Sequence, residues 1–110
     1  MTPDTQKAAL DQLIEAVEAG EDIGPRYGWW EGTLSAQEWS QIDYICESGS
    51  LDAAVALLEA LLPGWHWSVD ACNEAYVMLG PGGADGYAQE HAPTPARALL
   101  LATLKAWRDQ

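Results

Sequence analysis

The chain has 110 residues, of which 48% are hydrophobic and 20% are charged, and its 17 acidic and five basic residues give a net charge of −12. This length suits one domain, residues 1–110, that buries a core without disulfides or metals. The hydrophobic content excludes an acidic disordered tail. Residues 1–10 lack a cationic segment followed by an apolar run, and no apolar run reaches membrane length, so we expect a cytoplasmic protein.

The central part of the chain has no basic residue. Neither Lys nor Arg lies between Arg26 and Arg97. The surface there is predicted to be negative, which repels nucleic acid and anionic membranes and favours a cationic partner. The acidic residues of this span are Glu31, Glu38, Asp43, Glu47, Asp52, Glu59, Asp70, Glu74, Asp85 and Glu90.

The first half of the chain predicts three helices. Asp4 or Thr5 is a possible N-cap for the first, and Gly20 ends it. Residues 21–33 combine glycines with aromatic residues and predict a loop. Ser35 and Glu38 form an S-x-x-E capping box for the second helix. The residues predicted to face the core are Leu10, Leu13, Ile14 and Val17 in the first helix and Trp39, Ile42 and Ile45 in the second.

The third helix and the segments after it complete an α+β pattern. Ser50 is the predicted N-cap of the third helix, and Pro63-Gly64 ends it. Its predicted buried stripe is Leu51, Ala54, Val55, Leu58 and Leu62.

Alternation over residues 65–70 then predicts a half-buried strand. A second strand follows at 75–79, and 86–91 is either a third strand or a loop. Thr94-Pro95 starts the last helix. We therefore predict a small antiparallel sheet, either a hairpin or three strands, packed against N-terminal helices and a C-terminal helix.

Motifs for catalysis or for metal binding are absent from the sequence. Cys46 and Cys72 form no CxxC pair, and we expect two buried reduced thiols. The cysteines, His66 and His91 show no metal-ligand spacing, and no nucleotide-binding or nucleophile-elbow motif occurs. We expect no cofactor, no metal and no enzymatic activity.

The aromatic composition indicates a binding surface. Six Trp and four Tyr occur without Phe, so every aromatic side chain carries a polar group. Spacing predicts that Trp65, Trp67 and Trp107 lie in the core. Adjacent Trp29 and Trp30 in the predicted loop cannot easily point the same way, so one of them is expected to be exposed unless both fold down over the core. An exposed Trp beside acids suits an Arg-rich protein surface.

Mimicry of DNA requires the acids to gather on one face. A net charge of −12 on about 6,000 Å² of surface averages about one per 500 Å², against about one per 100 Å² on the wall of duplex DNA. Without clustering, an acidic host proteome or simple solubility explains the charge. The predicted partner-binding residues are Trp29, Trp30, Glu31, Glu38, Asp43, Glu47 and Asp52.

Three segments resemble a group of phage proteins. They are Ser50-Leu51-Asp52-Ala53-Ala54 through Leu61-Leu62-Pro63-Gly64-Trp65 to Trp67-Ser68-Val69, then residues 92–100, and more weakly residues 13–20. Together they are similar to the phage ABA sandwich domain group of small phage and prophage proteins. The resemblance implies a helix, sheet, helix layering and a phage-type origin, and it carries over no catalytic residue.

Three functional hypotheses follow. The first is a non-enzymatic acidic phage or mobile-element protein that works in the host cytoplasm. It binds and blocks a basic, nucleic-acid-binding surface of a host defence complex, as an anti-CRISPR inhibitor or a DNA mimic would. The second is a structural or accessory phage protein, possibly a homo-oligomer, with no inhibitory role. The third is a small enzyme with a site near His66, Ser68 and His91.

Overall fold

The computed structural model describes residues 3–20, 36–79 and 86–109. The described residues form an α+β domain of four helices and one three-stranded antiparallel sheet, as predicted. Residues 86–91, for which strand and loop both stood open, form the third strand. The elements are α1 (Pro3–Ala19), α2 (Ala36–Ser48), α3 (Leu51–Leu61), β1 (His66–Val69), β2 (Glu74–Leu79), β3 (Gly86–His91) and α4 (Pro95–Arg108).

Helix α4 is the centre of the domain. It packs against α1, α2 and α3 and against all three described strands. Residues 98–104, about two turns of this helix, are all buried, and a segment that is buried on every side must be enclosed by other elements. The one buried polar side chain in α4 is satisfied within the helix, because the Thr103 hydroxyl donates to the Leu99 carbonyl (2.8 Å). The buried residues of α4 are Ala96, Ala98, Leu99, Leu100, Leu101, Ala102, Thr103, Leu104 and Ala106.

The sheet is a meander in the order β1-β2-β3. Trp67 lies opposite Val77, which lies opposite Ala88, and this row faces α4. The adjacent row, His66, Met78 and Tyr87, lies on the outer face. His66 and Tyr87 are exposed there, so the sheet is an outer layer.

The described elements lie in three layers. Among the described elements, α4 accounts for the extensive packing of helices on the sheet, and the other three helices pack on α4. Among the described elements, the order of the layers is therefore the sheet, then α4, then α1, α2 and α3. The middle turns of the last helix are buried on every side, so this helix needs cover on both sides and occupies the middle layer itself.

Two predicted helix starts are confirmed. Ser50 Oγ accepts a hydrogen bond from the Ala53 N–H, and Thr94 Oγ1 accepts one from the Arg97 N–H, each at 3.2 Å. These bonds satisfy amides that have no partner within the helix.

The first two helices behave differently at their starts. Helix α1 begins at Pro3, so Asp4 and Thr5 lie in its first turn rather than at the N-cap, which corrects that prediction. Gly20, with φ of +75°, follows its end. The predicted N-cap of α2, Ser35, lies outside the described residues.

The predicted core positions of α1 and α2 are all buried. Helix α3 differs, because Leu57 is buried while Leu51 and Val55 are half-buried. It packs against both α2 and α4, so its apolar stripe is turned from the position that spacing alone indicated.

The prediction for the three tryptophans holds for two of them. Trp65 and Trp107 are half-buried against the core. Trp67 is 39% exposed, so the prediction that it lies in the core is wrong. Its strand face is the predicted one, but α4 lies mainly under β2 and β3 and leaves β1 as a poorly covered edge.

The cysteine prediction also needs a correction. Both cysteines are free, but Cys46 is half-buried and Cys72 is exposed. Cys72 lies in the turn between β1 and β2, where Asp70 Oδ1 accepts hydrogen bonds from the Cys72 N–H (2.8 Å) and the Glu74 N–H (3.1 Å). The turn holds Cys72 at the surface, away from any element that covers it.

The Trp65 side chain and Gly86 are in close contact at one end of the sheet. The Trp65 ring lies directly over the Cα of Gly86, and a Cβ at that position would overlap the ring. Glycine at position 86 therefore serves packing, since it lets the ring cross the sheet from β1 to β3.

We expect Gly86→Ala to lower the free energy of unfolding by about 1–3 kcal/mol, because the added methyl group overpacks the Trp65 contact. Urea denaturation measures the change. In a Trp65→Leu background the same substitution should cost almost nothing, since the ring is gone. An equal cost in both backgrounds would contradict the assigned contact.

Candidate functional site: an acidic patch at the junction of α2 and α3

Four residues form a surface at the junction of α2 and α3, which we name the acidic patch: Asp43, Tyr44, Glu47 and Asp52. The first three lie in the C-terminal half of α2, and Asp52 lies in the first turn of α3. Tyr44 is 56% exposed. Glu47 and Asp52 are exposed, and Asp43 is half-buried. Tyr44 is thus an exposed aromatic side chain within one turn of two acids on α2, and Asp52 lies at the start of the next helix.

The local sequence explains this placement. Helix α2 turns Trp39, Ile42 and Ile45 into the core, which leaves positions 44 and 47 facing solvent. Gly49, with φ of +70°, donates to the Ile45 carbonyl (3.0 Å) and ends α2. Ser50 then caps α3 at once. The tight connection keeps the end of α2 and the start of α3 close together.

Asp43 and Glu47 occupy positions at which an acid destabilises α2. Asp43 and Glu47 are four residues apart, where like charges cost about 0.2–0.5 kcal/mol. Glu47 lies in the last turn, which has no basic residue, and an acid there opposes the helix dipole by about 0.3–1 kcal/mol. Stability of α2 therefore does not account for these two acids.

Two described cations, Lys105 and Arg108, are engaged away from the acidic patch. Lys105 pairs with Glu18 (3.0 Å) and with Glu90, and Arg108 pairs with Asp11 (2.8 Å). All of these pairs link α4 to α1 or to β3. Within residues 36–79 no acid of the patch forms a salt bridge, so its charge faces solvent.

Arg97 is the described cation nearest the patch. Its Nη2 donates to the Cys46 carbonyl (3.2 Å) at the end of α2. A cation suits this position because the last carbonyls of a helix carry partial negative charge. Arg97 thus supports the end of α2 through the backbone.

The pKa of the Cys46 thiol depends on its burial and on the charges around it. Burial raises the pKa of the Cys46 thiol, and Asp43 and Glu47 act in the same direction, while Arg97 opposes them. A thiol with a raised pKa holds less thiolate near neutral pH and reacts slowly.

The structure brings together three of the predicted site residues, Asp43, Glu47 and Asp52. Glu38 lies in the first turn of α2, nine residues before Glu47, which places it on the opposite flank of the helix. Trp29, Trp30 and Glu31 lie outside the described residues. Sequence reasoning missed Tyr44, although its position off the stripe of Trp39, Ile42 and Ile45 could have shown that it faces solvent.

The residues of the enzyme hypothesis are not brought together. His66 and His91 lie at opposite corners of the outer sheet face, roughly 17 Å apart by strand geometry. Between them, Glu74 Oε2 accepts hydrogen bonds from the Tyr76 hydroxyl (3.0 Å) and from Gln89 Nε2 (2.9 Å). This network raises the pKa of Tyr76, chiefly through the bond to Glu74.

The described part of the chain lacks two other features. No group of three His, Cys, Asp or Glu residues there is placed to bind a metal ion. None of the described helices has the length and apolar character needed to cross a membrane.

No protein-family model, no curated protein and no solved structure matches this chain.

We expect Glu47→Lys to stabilise the protein by about 0.5 kcal/mol, since it removes the repulsion with Asp43 and places a cation in the last turn of α2. Glu38→Lys makes the same charge change in the first turn and should destabilise. Urea denaturation of both variants measures the two effects. Shifts of the same sign would show that position along α2 does not govern them.

Cys72 should react with iodoacetamide well before Cys46, which burial protects. Mass spectrometry across a pH series measures both rates, and Cys72→Ser isolates the Cys46 reaction. Because burial raises its pKa, the Cys46 rate should level off at a higher pH in the folded protein than in the urea-unfolded protein. Equal midpoints would contradict the raised pKa.

Proposed function

We propose that this protein is a non-enzymatic binding module that uses the acidic patch to occupy a basic, nucleic-acid-binding surface of a host protein or ribonucleoprotein complex. The observation that carries the proposal is Tyr44, exposed on α2 beside Asp43 and Glu47, at positions where those acids weaken their own helix. Residues that reduce stability where they stand are typical of functional surfaces.

The chemistry of the patch favours arginine on the partner. A guanidinium stacks on a tyrosine ring and pairs with carboxylates through two parallel hydrogen bonds. Tyr44 and the neighbouring acids offer both interactions on one short surface. Surfaces that bind nucleic acid are rich in arginine and lysine, so they fit this description.

The distribution of charge favours a local contact over an imitation of duplex DNA along its length. The accessible surface of 5785 Å², divided by a net charge of −12, gives about 480 Å² per charge, far more than the roughly 100 Å² of a DNA wall. Glu38 points to the other flank of α2. The proposed mechanism is therefore steric exclusion of nucleic acid by a body anchored through one patch.

A phage or mobile-element protein that inhibits a host defence complex in the cytoplasm is the biological role we infer from this mechanism. The support is chemical: such complexes hold nucleic acid on basic surfaces. A strongly acidic body with an aromatic anchor competes for that surface without catalysis.

Affinity capture from a host lysate tests the proposal with four baits. Wild type and Glu15→Lys should recover the same nucleic-acid-binding complex, while Glu47→Lys and Tyr44→Ala should lose most of it. Glu15 is an exposed acid on α1, so it matches the charge change on another helix. Duplex DNA or RNA added to the beads should release the complex, and raised salt should weaken capture steeply.

Capture that is equal for Glu47→Lys and wild type would overturn the acidic patch as the binding site. Capture that is insensitive to salt and to competing nucleic acid would overturn the electrostatic mechanism. Because Glu47→Lys is expected to be at least as stable as wild type, loss of binding in this variant cannot be attributed to unfolding.

A further inference from the structure

The edge of the sheet formed by β1 has features that the acidic patch does not explain. Among the described strands β1 pairs with β2 alone, so no described strand lies on its other side. His66, Trp67 and Ser68 are all exposed. The strand contains no Lys, Pro or acid, which are the residues that natural proteins use to prevent edge-to-edge pairing.

The backbone groups that face the open edge can be assigned from the register. The Asp70 N–H donates to the Glu74 carbonyl (2.9 Å), so position 70 faces β2. Hydrogen-bonding direction alternates along an antiparallel strand, so Ser68 also faces β2. Trp67 and Val69 therefore direct their N–H and C=O groups outward.

The side chains at this edge are only partly covered. Trp65 and Val69 pack against the core, whereas Trp67, on the same face, is 39% exposed. The ring of Trp67 stands beside the open backbone groups of its own strand. A further strand on this edge would satisfy the backbone and cover the ring.

The absence of charge along the β1 edge favours a second copy of this chain as its partner. Residues 60–69 contain no charged residue in a chain of net charge −12. The β1 edge is thus a place where two copies can approach without bringing carboxylates together. A cationic partner finds no acid here to bind, so it has no preference for this edge.

We propose that two copies of this chain associate by antiparallel pairing of their β1 strands, so that the two sheets form one six-stranded sheet. Trp67 lies opposite Trp67 of the second copy, and the two exchange backbone hydrogen bonds. The Val69 N–H reaches the Trp65 carbonyl of the second copy. Apolar residues then face apolar residues on the α4 side, while His66 faces Ser68 of the second copy on the outer side.

The acids that follow β1 lie farther apart in this register than in the next one. Centred on Trp67, the pairing keeps Asp70 and its copy about 20 Å apart, well beyond the screening length of about 8 Å. Centred on Ser68, the same two carboxylates lie about 14 Å apart. The self-association is independent of the acidic patch, which lies on α2 and α3.

Sedimentation equilibrium over about 5–500 µM tests the proposal, since this range spans the affinities expected of a small interface. Wild type should approach twice the monomer mass of 11.9 kDa. Trp67→Lys sets two like charges opposite each other and removes the ring, so it should weaken association by about tenfold or more. Tyr87→Lys makes the same change at an exposed aromatic on β3 and should leave the dimer intact.

A second measurement keeps the test open if Trp67→Lys fails to fold. In wild type, the amides of Trp67 and Val69 should exchange with solvent quickly in dilute samples and slowly in concentrated ones. A monomer at every concentration, or unprotected amides in concentrated samples, would overturn the proposal. So would a dimer that survives Trp67→Lys or is lost equally in Tyr87→Lys.

Salt distinguishes this inference from the proposed function. Added salt screens the repulsion between two chains of net charge −12, so it should strengthen self-association. The same salt should weaken capture of a basic partner. Self-association that weakens with salt would contradict pairing through an uncharged edge, whatever the outcome for the partner.

Discussion

The enclosure of α4 is the constraint on which the rest of the structure depends. Helix α4 is buried on nearly every side, and it packs against three helices and three strands. Small side chains at Ala98, Ala102 and Ala106 let the neighbouring elements approach its backbone closely. Because the sheet and the helices each use α4 as their common core, neither layer has a separate core of its own.

This constraint also sets the distribution of charge. Three of the chain's five basic residues, Arg97, Lys105 and Arg108, lie on α4. They reach past the apolar body of the helix to the end of α2, to Glu18 and Glu90, and to Asp11. Burial tends to lower the pKa of Lys105, and its two carboxylate partners outweigh that effect and raise it. These cations hold α4 to its neighbours, whereas Glu47 and Asp52 of the acidic patch keep their negative charge toward solvent.

Local signals in the sequence predicted most of the elements. Ser50 and Thr94 predicted two helix starts, because a capping hydroxyl acts within three residues. Residues 86–91 were predicted to form either a third strand or a loop, because a glycine-rich stretch immediately precedes their alternating pattern. Side-chain exposure depends on which element lies beneath, and this explains the error at Trp67, which has the predicted strand face but lies beyond the cover of α4.

The candidate site was predictable in part for the same reason. The base-free span pointed to Asp43, Glu47 and Asp52, but composition cannot show that Glu38 turns to the opposite flank of α2 or that Tyr44 is exposed beside the acids. Both follow from the orientation that the buried stripe imposes on α2. Trp29, Trp30 and Glu31 lie outside the described residues.

The two surfaces are compatible within one molecule. The acidic patch belongs to α2 and α3, and the β1 edge belongs to the sheet, with α4 between the layers. Pairing through β1 would therefore leave both patches of a dimer open. Two linked patches bind a repeated basic surface at high effective concentration, so a bivalent module can gain affinity without any new contact. A nucleic-acid-binding surface that repeats along an assembly, rather than a single basic pocket, is the partner geometry that such a dimer would favour.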